Sequence, residues 1–134
     1  MKKAVCLLAA LVLAAVLSGC GLIRIEEEER KPVDYTVVER QDIPAALDEI
    51  MNEKKEKEFQ LSYETGEALY LAKGYGRQMS GGYSIQVTDL SASVNAVFFE
   101  TKLIGPTEEV QGGEPSYPYI VVKTEYRDVP VQFR

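Results

Sequence analysis

The sequence predicts an α+β fold that is mainly antiparallel β, a small sandwich or open barrel of about six to seven strands with one amphipathic helix near the N-terminus of the domain. Two observations indicate it. Apolar residues recur at helical spacing only before residue 58, and from there they alternate with polar residues, which is the period of a half-buried strand. Clusters of glycine, proline, serine and asparagine separate the alternating segments, as turns separate antiparallel strands.

The domain begins with a strand and the helix. Residues 34–40, DYTVVER, carry the β-branched and aromatic side chains typical of a strand. Asp42 offers an N-cap and Pro44 fits the first turn of a helix that spans about residues 43–57. Its apolar side chains follow at helical spacing and are Leu47, Ile50 and Met51. We expect this helix to cover one end of the β structure.

Further strands follow the helix. Residues 59–64 and 68–75 form a predicted hairpin around Thr65-Gly66. Pro130 confines the last strand to a sheet edge, because proline cannot donate to a ladder. The other strand candidates are residues 83–90, 94–104, 119–125 and 129–133. Residues 105–117, with two prolines and three glycines, form a long loop, and long ordered loops are often functional.

The first twenty residues form a targeting segment. Two lysines precede an apolar run over residues 4–17, which has the length of a signal peptide and is too short to span a bilayer comfortably. The run ends in LSGC at residues 17–20, which looks like the lipobox of a bacterial lipoprotein. We expect residues 1–19 to be removed and Cys20 to carry at least two acyl chains, enough for stable anchoring in the cell membrane. The alternative is an ordinary secretory signal with a chance cysteine.

A tether and one domain follow Cys20. Residues 20–33 include four consecutive glutamates, a solvated segment that cannot pack. The remaining residues, 34–134, form the predicted single β-rich domain. It contains no cysteine, since Cys6 leaves with the signal peptide and Cys20 is consumed by lipid. The domain must therefore be held by its core alone.

Charge and composition exclude several classes of function. The chain has 15 Lys+Arg, 21 Asp+Glu and no His. Loss of residues 1–19 removes two lysines and leaves 13 basic against 21 acidic side chains, a net charge of −8. So acidic a chain repels phosphate backbones, and we expect no nucleic-acid partner. Without His there is no Ser-His-Asp or Cys-His catalysis and no His-ligated metal.

A glycine segment at residues 74–85, GYGRQMSGGYSI, is the most distinctive local sequence. It does not suit phosphate binding, because a strand and not a helix follows it. One interpretation is structural, a wide hairpin connection with a bulge. The other is a peptide-docking surface, because Tyr and Arg are enriched in interface hot spots and Met adapts to a partner's shape. The anchors, expected to be exposed, are Tyr75, Arg77, Met79 and Tyr83.

Enzyme chemistry has little support in the sequence. Lys73 with Ser80 or Ser84 could form a Ser-Lys pair, which needs no His, but nothing around Lys73 indicates the burial that would lower its pKa. No spacing singles out a pair of carboxylates for glycoside hydrolysis. We predict no catalytic, cofactor-binding or metal-binding residue. The eight tyrosines could line a carbohydrate-binding face, although the chain has no Trp for stacking.

The glycine segment and the residues after it resemble a known family. Residues 76–85 follow the pattern Gly-x-x-x-Ser/Thr-Gly-Gly-Tyr-Ser-Ile and lead into a strand at 86–88. Another strand carries FF at 98–99, and YPY at 117–119 leads into the apolar IVV. In this order, residues 74–124 resemble the C-terminal domain of the PrcB family, the lipoprotein subunit of a cell-surface, subtilisin-type protease complex.

The resemblance implies a non-catalytic subunit that binds and stabilises a protease precursor, and it assigns no catalytic residue to this domain. Residues 34–66 lie outside it. With the targeting segment, it leads us to expect a membrane-anchored extracytoplasmic lipoprotein that binds a protein partner, with a secreted subtilisin-type protease as the candidate. Two alternatives stay open: an envelope lipoprotein that binds a solute or glycan through its Tyr-rich loops, and a hydrolase with a Ser-Lys site.

Overall fold

The computed structural model describes residues 29–107 and 113–134. The predicted signal peptide, Cys20 and most of the tether lie outside these residues, as does part of the predicted loop at 105–117. The chain divides into two units, Met1–Lys31 and Pro32–Arg134, and the architecture below is that of the second unit.

The described residues form eight strands, one α-helix and one short 3-10 helix at Arg40–Asp42. The α-helix, α1, spans Ala45–Lys54. The strands are β1 Lys31–Pro32, β2 Tyr35–Val37, β3 Glu58–Glu64, β4 Ala68–Tyr75, β5 Ser84–Ala92, β6 Val97–Ile104, β7 Tyr119–Glu125 and β8 Val131–Phe133.

The strands form two four-stranded sheets with the orders β1-β5-β6-β8 and β2-β7-β4-β3. The pairs β2–β7, β3–β4, β4–β7 and β5–β6 are antiparallel, and β8 lies parallel to β6 at a sheet edge. The predicted α+β fold, mainly antiparallel, is thus confirmed. Of the two forms considered, a sandwich or an open barrel, it is the sandwich, and the described residues form eight strands where about six to seven were predicted. The edge position expected after Pro130 is confirmed as well.

Strand β4 carries apolar clusters on both faces. Leu69 and Leu71 belong to the cluster that fills the space between the two sheets, with Leu90, Val97, Phe99 and Val122 among its members. Ala68, Tyr70 and Ala72 face the other way and pack in a cluster with the helix residues Leu47 and Met51. The helix therefore covers the outer face of the second sheet, and the expectation that it would cover one end of the β structure was wrong.

The helix begins later than the predicted range 43–57 because of Pro44, and it also ends three residues earlier, at Lys54. A proline disfavours helical conformation in the residue before it, and Ile43 is accordingly extended, with φ −71° and ψ 130°. Pro44 occupies the N-cap position, where no side chain caps the helix. Asp42, the predicted cap, lies in the separate 3-10 helix.

Strands β4 and β5 lie in different sheets, so the glycine segment between them is a crossover between the layers and not the hairpin connection considered above. A β-bulge does occur, but inside β5, where the register shifts between Val87 and Asp89. The extra residue reverses the alternation, so that Ile85 and Val87 pack on the inter-sheet cluster before the bulge and Leu90 after it.

Candidate functional site

Backbone pairing fixes the glycine segment to the residues before β7. Gln78 and Ser116 form an isolated antiparallel bridge, in which the Gln78 amide donates to the Ser116 carbonyl at 2.8 Å and the Ser116 amide donates back at 3.0 Å. The Ser116 hydroxyl also donates to the Ser80 carbonyl at 2.6 Å. These hydrogen bonds restrain the backbone of the glycine segment, so that its side chains project from a defined loop conformation.

Three glycines of the segment have a structural reason. The Phe59 ring lies over Gly74, where a Cβ would come within 2.5 Å of the ring Cζ atom. Gly76 and Gly82 have φ angles of +74° and +86°, in the left-handed region of backbone conformation that residues with a Cβ rarely adopt. The glycine pattern is therefore explained by close backbone approach and by turn conformation.

The four predicted anchors differ in exposure. Arg77 is exposed, and Met79 is 78% exposed. Tyr75 and Tyr83 are half-buried, so the expectation that all four would be exposed was wrong for these two. The Tyr75 hydroxyl is occupied by a hydrogen bond of 2.5 Å to Thr101 Oγ1 on the other sheet. Arg77 and Met79 are accordingly the side chains that a partner could contact most fully.

Lys73 is buried, contrary to the sequence-based expectation, with 5% of its surface exposed. Its ammonium donates to the carboxylate of Glu58 on the neighbouring strand and lies 5.0 Å from the centre of the Tyr75 ring. The Ser80 hydroxyl donates to the Gly81 carbonyl, and Ser84 is exposed. The Lys73 ammonium thus contacts a carboxylate and an aromatic ring, and it forms no hydrogen bond with Ser80 or Ser84 among the described residues.

An open cleft of about 320 Å³ lies on the helix side of the second sheet. Its floor consists of the buried residues Met51 and Phe59. The segment Tyr117-Pro118-Tyr119 forms one wall, which we call the tyrosine wall; its last residue is the first residue of β7. The polar side chains around it are Arg40, Asp48, Asn52 and Lys55. We call this the helix–tyrosine cleft.

Two contacts hold the tyrosine wall of the cleft. The Tyr75 amide donates to the Pro118 carbonyl at 3.0 Å, which ties the wall to the end of β4. The Lys55 ammonium, just after α1, lies 4.9 Å from the centre of the Tyr117 ring, within the range of a cation–π interaction. The cleft was not predicted from the sequence. The only local signal is YPY before an apolar strand, a pattern that indicates no more than the end of a loop.

Within residues 29–107 and 113–134, no group of three or more Asp or Glu side chains is placed to hold a metal ion. No helix in the same part of the chain is long and apolar enough to cross a membrane.

Residues 69–125 match the model of the family described as PrcB C-terminal. This match confirms the resemblance of the segment to the PrcB C-terminal family. No curated protein and no solved structure matched the chain. The matched segment runs from β4 to the end of β7 and so includes the glycine segment and the tyrosine wall. It excludes the helix and β3, which complete the helix–tyrosine cleft.

Proposed function

We propose that this protein is a lipid-anchored lipoprotein on the extracytoplasmic side of the cell membrane. In this proposal, its domain is a non-catalytic, protein-binding subunit that assembles with a surface protease or stabilises it. The observation that carries the proposal is the match of residues 69–125 to the PrcB C-terminal family. The lipobox-like LSGC at residues 17–20 supports the anchor, and the acidic tether would hold the domain away from the bilayer.

The glycine segment offers a surface suited to a partner. Met79 and Arg77 are exposed on a loop whose backbone is held by the Gln78–Ser116 bridge. A loop whose backbone is already restrained loses little conformational entropy on binding, which favours affinity. Met and Arg are both enriched at protein interfaces.

Affinity capture tests the proposal. A C-terminally tagged chain is recovered from detergent-solubilised membranes, and the co-purified proteins are identified by mass spectrometry beside a Cys20→Ala variant. We expect one secreted protease in stoichiometric amount with the parent chain and loss of membrane association with the variant. Recovery of a folded, lipidated chain without any specific protein would contradict the proposal.

A matched pair of variants assigns the binding surface. Met79→Asp should abolish recovery of the partner, because it places a charge in the proposed contact. Val94→Asp is the control, since Val94 is also 78% exposed but lies in the turn between β5 and β6. Equal recovery of the partner with both variants would show that the glycine segment is not part of the interface.

A second candidate function is favoured by the helix–tyrosine cleft. Two tyrosines, Tyr117 and Tyr119, line a concavity of about 320 Å³, which suits an envelope lipoprotein that binds a solute or glycan. Titration with a neutral oligosaccharide, tetra-N-acetylchitotetraose, tests it. Saturable binding that is lost with Tyr117→Ala would support this function over the first.

A further inference from the structure

We propose that the helix–tyrosine cleft binds a peptide segment in which a carboxylate lies next to an apolar side chain. This inference rests on the proposed protein-binding function and states the chemistry by which the cleft would recognise a protein partner. The carboxylate could belong to the last residue of the partner or to an internal acidic residue. The experiment below distinguishes these two sources.

The size and lining of the cleft suit one side chain and the adjacent backbone. A volume of about 320 Å³ lies at the lower limit of ligand sites, which measure roughly 300–1,000 Å³. Met51 and Phe59 present an apolar floor, and Tyr117 and Tyr119 add aromatic walls with polar hydroxyl tips. An aliphatic or aromatic side chain would bury apolar surface on this floor while its backbone remained near the rim.

The cationic groups at the rim provide the charge complementarity. Arg40 and Lys55 are both exposed, and neither forms an ion pair within residues 29–107 and 113–134. They lie beside an apolar floor in a chain whose net charge is −6, so they form a local positive site in an acidic protein. A guanidinium and an ammonium are the groups that bind carboxylates most strongly, Arg through paired hydrogen bonds.

The remaining rim residues can pair with a peptide backbone. The Asn52 side-chain amide donates to Asp48 Oδ2 at 3.4 Å, which leaves the Asn52 carbonyl oxygen and the second Asp48 oxygen available as acceptors. Asp48 and Lys55 are seven residues apart, about 10 Å along a helix axis. Backbone N–H groups near Asp48 and a carboxylate near Lys55 would therefore occupy separate positions.

Methionine methyl NMR gives a readout inside the cleft together with an internal control. Met51 and Met79 are the two methionines of residues 20–134, one in the cleft floor and the other in the glycine segment. The mature, lipidated chain is labelled at its methionine methyl groups in detergent micelles. It is titrated with the peptide Ac-Gly-Leu-Phe-OH, with its C-terminal amide, and with Ac-Gly-Glu-Phe-Gly-NH2.

We expect a saturable shift of the Met51 signal with at least one carboxylate peptide, a much weaker response to the amide peptide, and an unchanged Met79 signal. Binding of Ac-Gly-Leu-Phe-OH alone would identify a terminal carboxylate, and binding of the third peptide an internal one. Equal binding of the amide, a response of Met79 alone, or no binding would each overturn the inference.

Variants at neighbouring positions test the role of charge. Lys55→Gln should weaken carboxylate binding about tenfold, the usual effect of losing a charged hydrogen bond. Lys54→Gln makes the same change one residue away, outside the cleft lining, and should leave the affinity unchanged. Arg40→Gln gives a second measurement if Lys55→Gln changes the spectrum of the free protein. Equal affinities for all variants would overturn the inference. Failure of the peptides together with capture of a protease would refute this inference alone and leave the proposed function standing.

Discussion

Replacement of Gly74 by alanine should destabilise the domain strongly, although it adds only one methyl group. Gly74 lies directly opposite Phe59 in the β3–β4 pair. The added Cβ would lie 2.5 Å from the ring Cζ atom and 2.6 Å from Cδ1, distances that real contacts do not reach. Because the two residues are paired across a seven-residue ladder, the backbones cannot separate locally without breaking sheet hydrogen bonds, so the Phe59 ring must move.

The magnitude follows from the burial of that ring. Phe59 is 8% exposed and packs in the cluster with the helix. Displacing a buried side chain of this size costs about 1.5–3 kcal/mol in lost burial, and the space it leaves adds to that cost. We therefore expect Gly74→Ala to lower the free energy of unfolding by about 2–4 kcal/mol. For a domain of this size, this corresponds to a decrease in Tm of roughly 10–20 °C.

Chemical unfolding followed by far-UV circular dichroism measures this effect, with Gly81→Ala as the control. A Cβ at Gly81 meets nothing within 4 Å, so that variant should stay within about 0.5 kcal/mol of the parent. In a Phe59→Ala background, Gly74→Ala should cost little, because the obstructing ring is gone. Equal effects of the two glycine variants, or additive effects of Gly74→Ala and Phe59→Ala, would refute the reasoning.

Three other predictions concern charge and backbone conformation. Glu58→Gln should cost about 1–2 kcal/mol in urea unfolding, because it leaves the buried ammonium of Lys73 without its carboxylate, whereas Lys73→Met should cost less because it removes the charge as well. The reverse order would contradict this account. Gly82→Ala should cost about 1–2 kcal/mol in the same assay because of its φ of +86°, and a neutral result would exclude strain there. The negative charge of Asp128 raises the pKa of Tyr126 above its ordinary value of 10.0. The protonated Tyr126 side chain therefore stabilises the folded state at pH values below the pKa it has in the unfolded chain. That stabilisation is lost as the pH rises through the pKa of the folded state. Asp128→Asn should lower the Tyr126 pKa in an NMR titration of the tyrosine rings, and an unchanged value would exclude that charge as the cause.

Strands with simple patterns were predicted most accurately. The predicted ranges 68–75 and 119–125 are those of β4 and β7. Both segments are apolar and bounded by turn residues, and they pair with each other at the centre of a sheet. β1 was missed because two residues carry no period. The bulge in β5 was missed because an alternating sequence does not show where one residue is skipped.

The candidate site was predicted only in part. The glycine segment was recognised from its composition, and Met79 and Arg77 are exposed as expected. The half-burial of Tyr75 and Tyr83 was not predicted, because the sequence around a tyrosine beside glycines does not indicate which way the side chain points. The burial of Lys73 was missed for a different reason: its carboxylate partner, Glu58, lies fifteen residues earlier in the chain. The helix–tyrosine cleft unites segments far apart in sequence and could not be found from any one of them.

The fold class, the likeness of residues 69–125 to the PrcB C-terminal family and the order of most elements could all be predicted from the amino-acid sequence. These properties depend on hydrophobic period, turn residues and a contiguous sequence pattern, all of which can be followed along the chain without knowing which segments meet in space. Three features became apparent only in three dimensions: β4 and β5 belong to different layers, the helix lies on the outer face of a sheet, and Arg40, Lys55 and Tyr117 surround one cleft. Such choices depend on which apolar faces bury each other, a property of the whole chain that local sequence does not contain.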